Sequence, residues 1–410
     1  MPSFLTQGFD LLSTFMGYLL PFLFVLALVV FVHEMGHFLV GRLCGVKVET
    51  FSLGFGPRIA RFYDRKGTEW ALSAIPLGGY VKFKGDLNAA SVPDHAAAEA
   101  MNAADRADSF PHKSIAQRAA IVAAGPLANF VLAFVIFSTS YMLVGRTLVE
   151  PIIGAVNPGS VAETVGFKPG DRVLAIDGLK IESFDEIARQ VALSEGKTLT
   201  FRIERASREM EISAMPAIVA RKTVLGTDRR PVMGFVNSSD PRHFFAKHYG
   251  LAEASSTAVG EILFVIDRTG HYVSGLFAGR EKADQLSGPT RIAYISGKVA
   301  ESGFAPLLML AGILSISIGL INLLPVPMLD GGHLVFYLIE ALVGRPVSPR
   351  AQEISFRVGF ALVIMLMLFS TWNDIAHLTG LVLGAGNPRF SAWSRPFNRA
   401  VSSVAAGSRR

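Results

Sequence analysis

The sequence predicts a polytopic α-helical membrane protein with four transmembrane helices, a cytoplasmic membrane-associated β region and an inserted α+β module. Three observations predict it. Half of the 410 residues are hydrophobic and only 18% are charged, too apolar a balance for an ordinary soluble chain. Four stretches, about 17–43, 118–144, 305–329 and 354–378, reach the roughly 20 residues that a helix needs to cross a bilayer. Between them, 48–83 and 151–216 carry short strand-like runs punctuated by glycine and proline, the pattern of β structure rather than of further spans.

The chain is long enough for several domains. It divides as 1–150 (two spans and the β loop), 151–216 (the α+β module), 217–304 (an outer connector), 305–380 (two more spans) and 381–410 (a tail). The net charge of +6 comes without a Lys/Arg block interleaved with aromatics, so the expected partner is the lipid bilayer and not nucleic acid. Cys44 is the only cysteine, which excludes an intrachain disulfide and a cysteine metal cluster. The N-terminal run lacks a basic n-region and a small-x-small site, so no cleaved signal peptide is expected.

The first span has no Lys or Arg before Arg42, whereas 42–118 holds Arg42, Lys47, Arg58, Arg61 and more. Basic residues in short loops stay inside. This places the N-terminus outside, 42–117 in the cytoplasm, and 145–304 outside with the tail. The tail arginines run mildly against that orientation, and the first span decides it. The cytoplasmic segment "VETFSLGFGPRIARFYDRKGTEWALSAIPLGGYVKF" (48–83) reads as short strands broken at Gly54-Phe55-Gly56 and at Gly78-Gly79. Residues 86–109, rich in Ala and Asp, read as a linker. The second span contains Gly125-Pro126, a pair that marks a kink or a close helix contact. In the outer segment, 151–187 alternates β-type runs with a helical "SVAETVGF", and the module closes near 216. Residues 217–257 carry no clear pattern. The run 259–278 is apolar but interrupted by Asp267, Arg268 and His271, so it reads as an interfacial amphipathic segment.

Chemistry enters in the first span, at "LALVVFVHEMGHFLVG" (26–41). Ionisable groups at membrane depth are expensive, on the order of 2.5–3.5 kcal/mol for a charged side chain, so His33, Glu34 and His37 need a compensating role. On a helix, positions i and i+4 share a face, so both imidazoles reach one Zn²⁺ while Glu34 stands beside the attacking water. A catalytic zinc takes three protein ligands and leaves a position open. The conspicuous third candidate is Asp330 in "INLLPVPMLDGGHLVF". There two prolines break the helix and two glycines allow close backbone approach, so irregular backbone can line a wet, protein-enclosed cavity. Asp330 could instead cap the helix that follows. His333 is the rival ligand and is expected to be structural.

HEMGH in the first span, "GPLANF" in the second and "NLLPVPMLDGGH" in the third resemble the site-2 protease family of intramembrane zinc metalloproteases. "IPLGGYVKF" and a single PDZ-like module between the second and third spans resemble its bacterial RseP-type branch, whose enterobacterial members carry two such modules. The resemblance runs from about residue 17 to 378. It implies His33, His37 and Asp330 as ligands of one zinc ion per chain and Glu34 as the catalytic acid/base. It further implies substrate-handling roles for Asn322, Pro325, Pro327 and the strand around Gly54–Gly56. The implied activity is that of a zinc metalloendopeptidase cutting transmembrane segments of membrane proteins already cleaved on the outer side, such as an anti-sigma factor or remnant signal peptides. The implied place is the bacterial inner membrane, with the PDZ-like module in the periplasm. Two other classes carry some of the same features: a transporter or channel with a midplane ion site, and a catalytically dead scaffold using the module alone. The absence of an inverted repeat and the presence of Glu34 argue against them.

Overall fold

The computed structural model describes residues 3–86, 101–194, 196–223, 226–278 and 288–384. In chain order, α1 (Ser3–Leu43) leads into two long strands, β1 (Val48–Tyr63) and β2 (Glu69–Phe83), then a short α2 (Ala103–Ala107) and α3 (Ile115–Leu143). The insert follows: β3 (Arg146–Val149), β4 (Ile153–Val156), α4 (Val161–Thr164), β5 (Arg172–Ile176), β6 (Leu179–Lys180), α5 (Phe184–Leu193), β7 (Leu199–Arg205), β8 (Arg208–Ala214), β9 (Ala217–Thr223), β10 (Gly226–Val232), β11 (Phe235–Asn237) and β12 (Phe244–Lys247). The chain returns through α6 (Leu251–Phe277), α7 (Pro289–Ala300), α8 (Phe304–Asn322), α9 (Asp330–Val343) and α10 (Pro349–Gly384). Among the described residues, four helices are long and apolar enough to cross a membrane: Phe15–Leu43, Ile115–Leu143, Phe304–Asn322 and Pro349–Asp374. The apolar stretch expected over 305–329 is helical only to Asn322, because Pro325 and Pro327 cannot donate the hydrogen bonds that would continue it.

The chain forms two compact units, one of Met1–Thr139, Ser255–Val273 and Ser287–Arg410, the other of Ser140–Ala254 and Ser274–Leu286. In the second unit, β6-β5-β7-β8 form an antiparallel sheet. The amphipathic α5 turns Ile187 and Val191 into its core with Ile153, Phe167, Val173, Phe201 and Ile203. Asp171, 1% exposed, is held by Arg205 through two bonds of 2.6 and 2.7 Å. The module expected over 151–216 is joined here by later residues, since β11 pairs with β4 and β12 with β3. Those strands are three and four residues long, too short to show an alternation in the sequence. The amphipathic run expected at 259–278 forms the later part of α6, which ends at Phe277.

In the first unit, the strands expected to be short and broken are single strands of 16 and 15 residues. Gly54, Gly56 and Gly78 adopt positive φ (87°, 82° and 129°), so the chain bends and shifts register there without leaving the ladder. As a result, residues 50–53 pair both with 79–82 and with 69–72. Asp64 ties this hairpin to the end of α1: its carboxylate accepts from Arg42, from the Trp70 indole and from the backbone of Lys66 and Thr68. Burial opposes ionisation of Asp64, yet these donors hold its carboxyl down to about 2. Of the linker expected over 86–109, residues 87–100 lie outside the described residues. The rest holds α2, whose Asp105 and the following Asp108 each receive Lys84 Nζ at 2.7 Å. The expected tail beyond Gly384 also lies outside them.

A second tie spans the sequence. Arg118 on α3 donates to Glu340 on α9 at 2.7 Å, and its guanidinium lies over the Tyr337 ring. Both side chains are about 15% exposed, so removing one leaves a poorly solvated charge behind. Arg118→Met should lower unfolding stability by on the order of 3 kcal/mol, whereas Arg118→Met with Glu340→Met should recover most of it. Denaturant unfolding of the detergent-purified chain reads both, and equal losses in the single and double variants would refute a structural role for the pair.

Candidate metal centre

The geometry starts from missing side chains. Gly36 of α1 faces α3 so closely that an added Cβ would strike the Ala124 carbonyl, and a Cβ at Gly125 would run into the His37 ring. Small residues let two membrane helices approach to backbone contact, and here that contact seats both histidines of α1 against α3. His33 and His37 are 8% and 9% exposed, with rings 4.9 Å apart and nearly perpendicular. His37 Nδ1 lies 2.9 Å from the Ile121 carbonyl, and His33 Nδ1 lies 3.3 Å from the Asn129 amide. Both partners belong to α3.

The third group arrives on the irregular segment between α8 and α9. Residues 323–329 fold back over the start of α9, where a Cβ at Gly331 would meet the Leu323 and Leu324 carbonyls and one at Gly332 the Val326 carbonyl. Met328 takes φ +81°, a left-handed conformation that costs a non-glycine residue about 1–3 kcal/mol. The segment ends at Asp330, the first residue of α9. Its carboxylate oxygens lie 3.2 Å from His33 Nε2 and 3.5 Å from His37 Nε2, and the two Nε2 atoms are 3.3 Å apart. Asp330 Oδ2 is buried and makes no hydrogen bond despite its closeness to His33, as expected of atoms that face a common point rather than each other. Neighbouring ligands of a tetrahedral zinc with bonds of 2.0–2.1 Å sit roughly 3.3–3.4 Å apart. His33, His37 and Asp330 are therefore the described residues that could hold a metal ion.

The other expected residues distribute differently. Glu34 is 9% exposed and stands next to β2: a Cβ at Gly79 would come within 3.0 Å of Glu34 Cγ. Gly54 faces the Ser73 and Ile75 carbonyls instead, and Gly56 the Ile75 side chain. Asn322 closes α8, Pro325 is exposed, and the Pro327 backbone packs where Gly359 of α10 leaves room. His333 lies one turn beyond Asp330 with its ring 5.3 Å from Phe356, outside the three-residue cluster. Asn129 lies in the GPLANF motif and Gly79 at an expected strand break, but the sequence alone assigned no role in the site to either, nor to Ile121. The signal for the first was the polar residue within the apolar second span; a backbone carbonyl such as that of Ile121 leaves none.

Peptidase family M50 matches residues 21–366. The chain belongs to this family. The chain is similar to proteins bearing a zinc-metalloprotease name from Agrobacterium fabrum, 46% identical over 89% of this chain and 97% of that protein, and from Rhizobium meliloti, 45% identical over 90% and 100%. Metalloprotease MmpA of Caulobacter vibrioides is 38% identical over 88% of this chain and 96% of its own. A PDZ domain of an SdrC-like protein from Listeria innocua overlaps 24% of the chain at 18% identity, with a TM-score of 0.18, too low to speak for the fold of the insert. The chain is thus an enzyme, a zinc metallopeptidase, and four of its described helices are long and apolar enough to cross a membrane.

Gly125 carries a direct consequence. In Gly125→Ala, the new methyl group must displace the His37 imidazole, since the opposing atoms are ring atoms packed against a helix. Metal content of the purified variant should fall severalfold with little change in helix content by circular dichroism. Unchanged metal binding would mean that the ring has room to move.

Proposed function

We propose that this chain is an intramembrane zinc metalloendopeptidase that hydrolyses peptide bonds in transmembrane segments of other membrane proteins, with one zinc ion held by His33, His37 and Asp330. The observation that carries the reading is the set of three side chains whose two Nε2 atoms and two carboxylate oxygens approach one another to 3.2–3.5 Å, with Asp330 Oδ2 buried and without a hydrogen bond. A zinc ion held there would polarise a scissile carbonyl and make a water acidic enough to attack it. Glu34 stands beside these donors in sequence and is not among them, so its carboxylate is the base that takes the proton from the attacking water. The same group then returns that proton to the leaving amine. Low exposure of all four side chains limits their contact with bulk water.

A peptide bond in a membrane helix is shielded by its own hydrogen bonds, so the substrate must be extended to be cut. The edge of β2 at Gly79 and Tyr80 is the strand beside Glu34, and we assign it to pairing with the extended substrate. This moves the expected substrate strand from Gly54–Gly56 to the opposite side of the same hairpin. Asn322, which closes α8, and Pro325 and Pro327 of the segment that carries Asp330 are the candidates for substrate handling; the two prolines also keep that segment irregular. In the insert, β11 pairs with β4 and its Phe235 ring lies 5.9 Å from that of Phe184 of α5. We assign the insert the PDZ-like role of binding an extended chain end exposed by an earlier outer cleavage. Anti-sigma factors and remnant signal peptides are substrates of the fitting kind.

The central test is a matched pair of measurements. His33→Ala and Asp330→Ala should each lose most of the zinc, about one ion per chain, found in the parent by elemental analysis. Glu34→Gln should keep the zinc and bind substrate, yet cleave a model membrane-spanning substrate slower by on the order of 10²–10⁴-fold. Normal cleavage by Glu34→Gln would remove the protease reading.

The orientation proposed from the basic residues after the first span can be tested at Cys44, the only thiol, which sits just beyond α1. With the N-terminus outside, an impermeant thiol reagent on intact cells should leave Cys44 unlabelled. Cysteines introduced into the exposed strand β8 should react once any outer membrane is permeabilised. The reverse pattern would invert the topology.

A further inference from the structure

The two histidines are backed by α3 in different ways. The Ile121 carbonyl can only accept, so His37 carries its hydrogen on Nδ1 and turns the lone pair of Nε2 toward Asp330. Behind His33 stands Asn129, wholly buried. Its Nδ2 is 3.3 Å from His33 Nδ1, while its Oδ1 is buried with no partner. In that arrangement Nδ1 would accept and the hydrogen would sit on Nε2, the atom that must offer a lone pair to a metal. The two ends of an amide are told apart by the partners they satisfy. With the carbonyl turned to the ring, Oδ1 gains the donor it lacks, Nδ1 bears the hydrogen, and Nε2 is released.

We propose that Asn129 is a positioning residue whose side-chain carbonyl accepts the His33 Nδ1 hydrogen and so fixes the tautomer that lets His33 bind zinc. The inference rests on the zinc site proposed above. The residue is held for such a task from α8. Ser315 Oγ donates to the Asn129 backbone carbonyl at 2.9 Å in a buried contact. Gly319 leaves the space that brings α8 down on it, since a Cβ there would come within 3.2 Å of Asn129 Cβ. An outer partner that orients a ligating histidine typically changes metal affinity by about 10–100-fold.

The experiment uses the full-length protein in lipid nanodiscs, with zinc affinity measured by chelator competition. Asn129→Leu removes both ends of the amide, whereas Asn129→Asp keeps an acceptor and removes the NH₂. The expected results are a zinc Kd raised about 10–100-fold in Asn129→Leu and a Kd no weaker than the parent's in Asn129→Asp. Parent-like affinity in Asn129→Leu, or equal weakening in both variants, overturns the proposal. His33→Ala locates the zinc: if the parent binds zinc and His33→Ala does not, a negative result at Asn129 leaves the site itself standing. If His33→Ala binds as the parent does, the site reading falls and this inference with it. Should either Asn129 variant fail to fold, the parent alone still decides. Nitrogen-15 spectra of the zinc-loaded, histidine-labelled protein, with His33 assigned by its loss in His33→Ala, should show the His33 ring hydrogen on Nδ1. A ring hydrogen on Nε2 would overturn it.

Discussion

Everything in the first unit is arranged around one constraint: two imidazoles and a carboxylate lie within an apolar helical bundle, where each is costly alone. The cost is met by bringing them within 3.2–3.5 Å of one another and by giving each imidazole a partner on α3. Such a cluster tolerates little slack, since a shift of an ångström would separate the three groups. The neighbouring elements can be read as the means of denying that slack.

Glycine does most of this work, through contact more than through flexibility. Gly36 and Gly125 close the α1–α3 crossing, Gly319 brings α8 onto α3, and Gly331, Gly332 and Gly359 admit the segment that delivers Asp330. In lipid no hydrophobic force drives helices together, so close packing of small residues and buried hydrogen bonds must do it. The strained backbone at Met328 fits the same picture, with a segment held against its local preference by the packing on both sides.

The hairpin of β1 and β2 extends the site beyond the helices. It is anchored through Arg42 and Asp64 to the end of α1, and its core residues Phe51, Val81 and Phe83 pack with Phe38, Ile121 and Tyr337. This joins a strand edge at Gly79 to the helix that carries Glu34, so an extended chain pairing with that edge would lie beside the proposed acid/base group. The ion pair of Arg118 and Glu340 braces α9 from its far end, and Asp330 occupies the near one.

Much of the site was legible in the sequence. His33, Glu34 and His37 announce themselves because i, i+4 spacing in an apolar run has a fixed geometric meaning, and Asp330 because an acid between prolines and glycines is out of place in a span. Four apolar helices follow from length and hydropathy alone. What the sequence left open depends on contacts between distant segments. That Asn129 faces His33, 96 residues away, that Gly79 rather than Gly54 adjoins Glu34, and that β11 and β12 return to pair with β4 and β3 are matters of tertiary packing. Local pattern could fix the residue types and the periods of helix and strand, because these arise from neighbours along the chain. Which carbonyl backs which imidazole was decided only when α1, α3, α8 and α9 closed on one another.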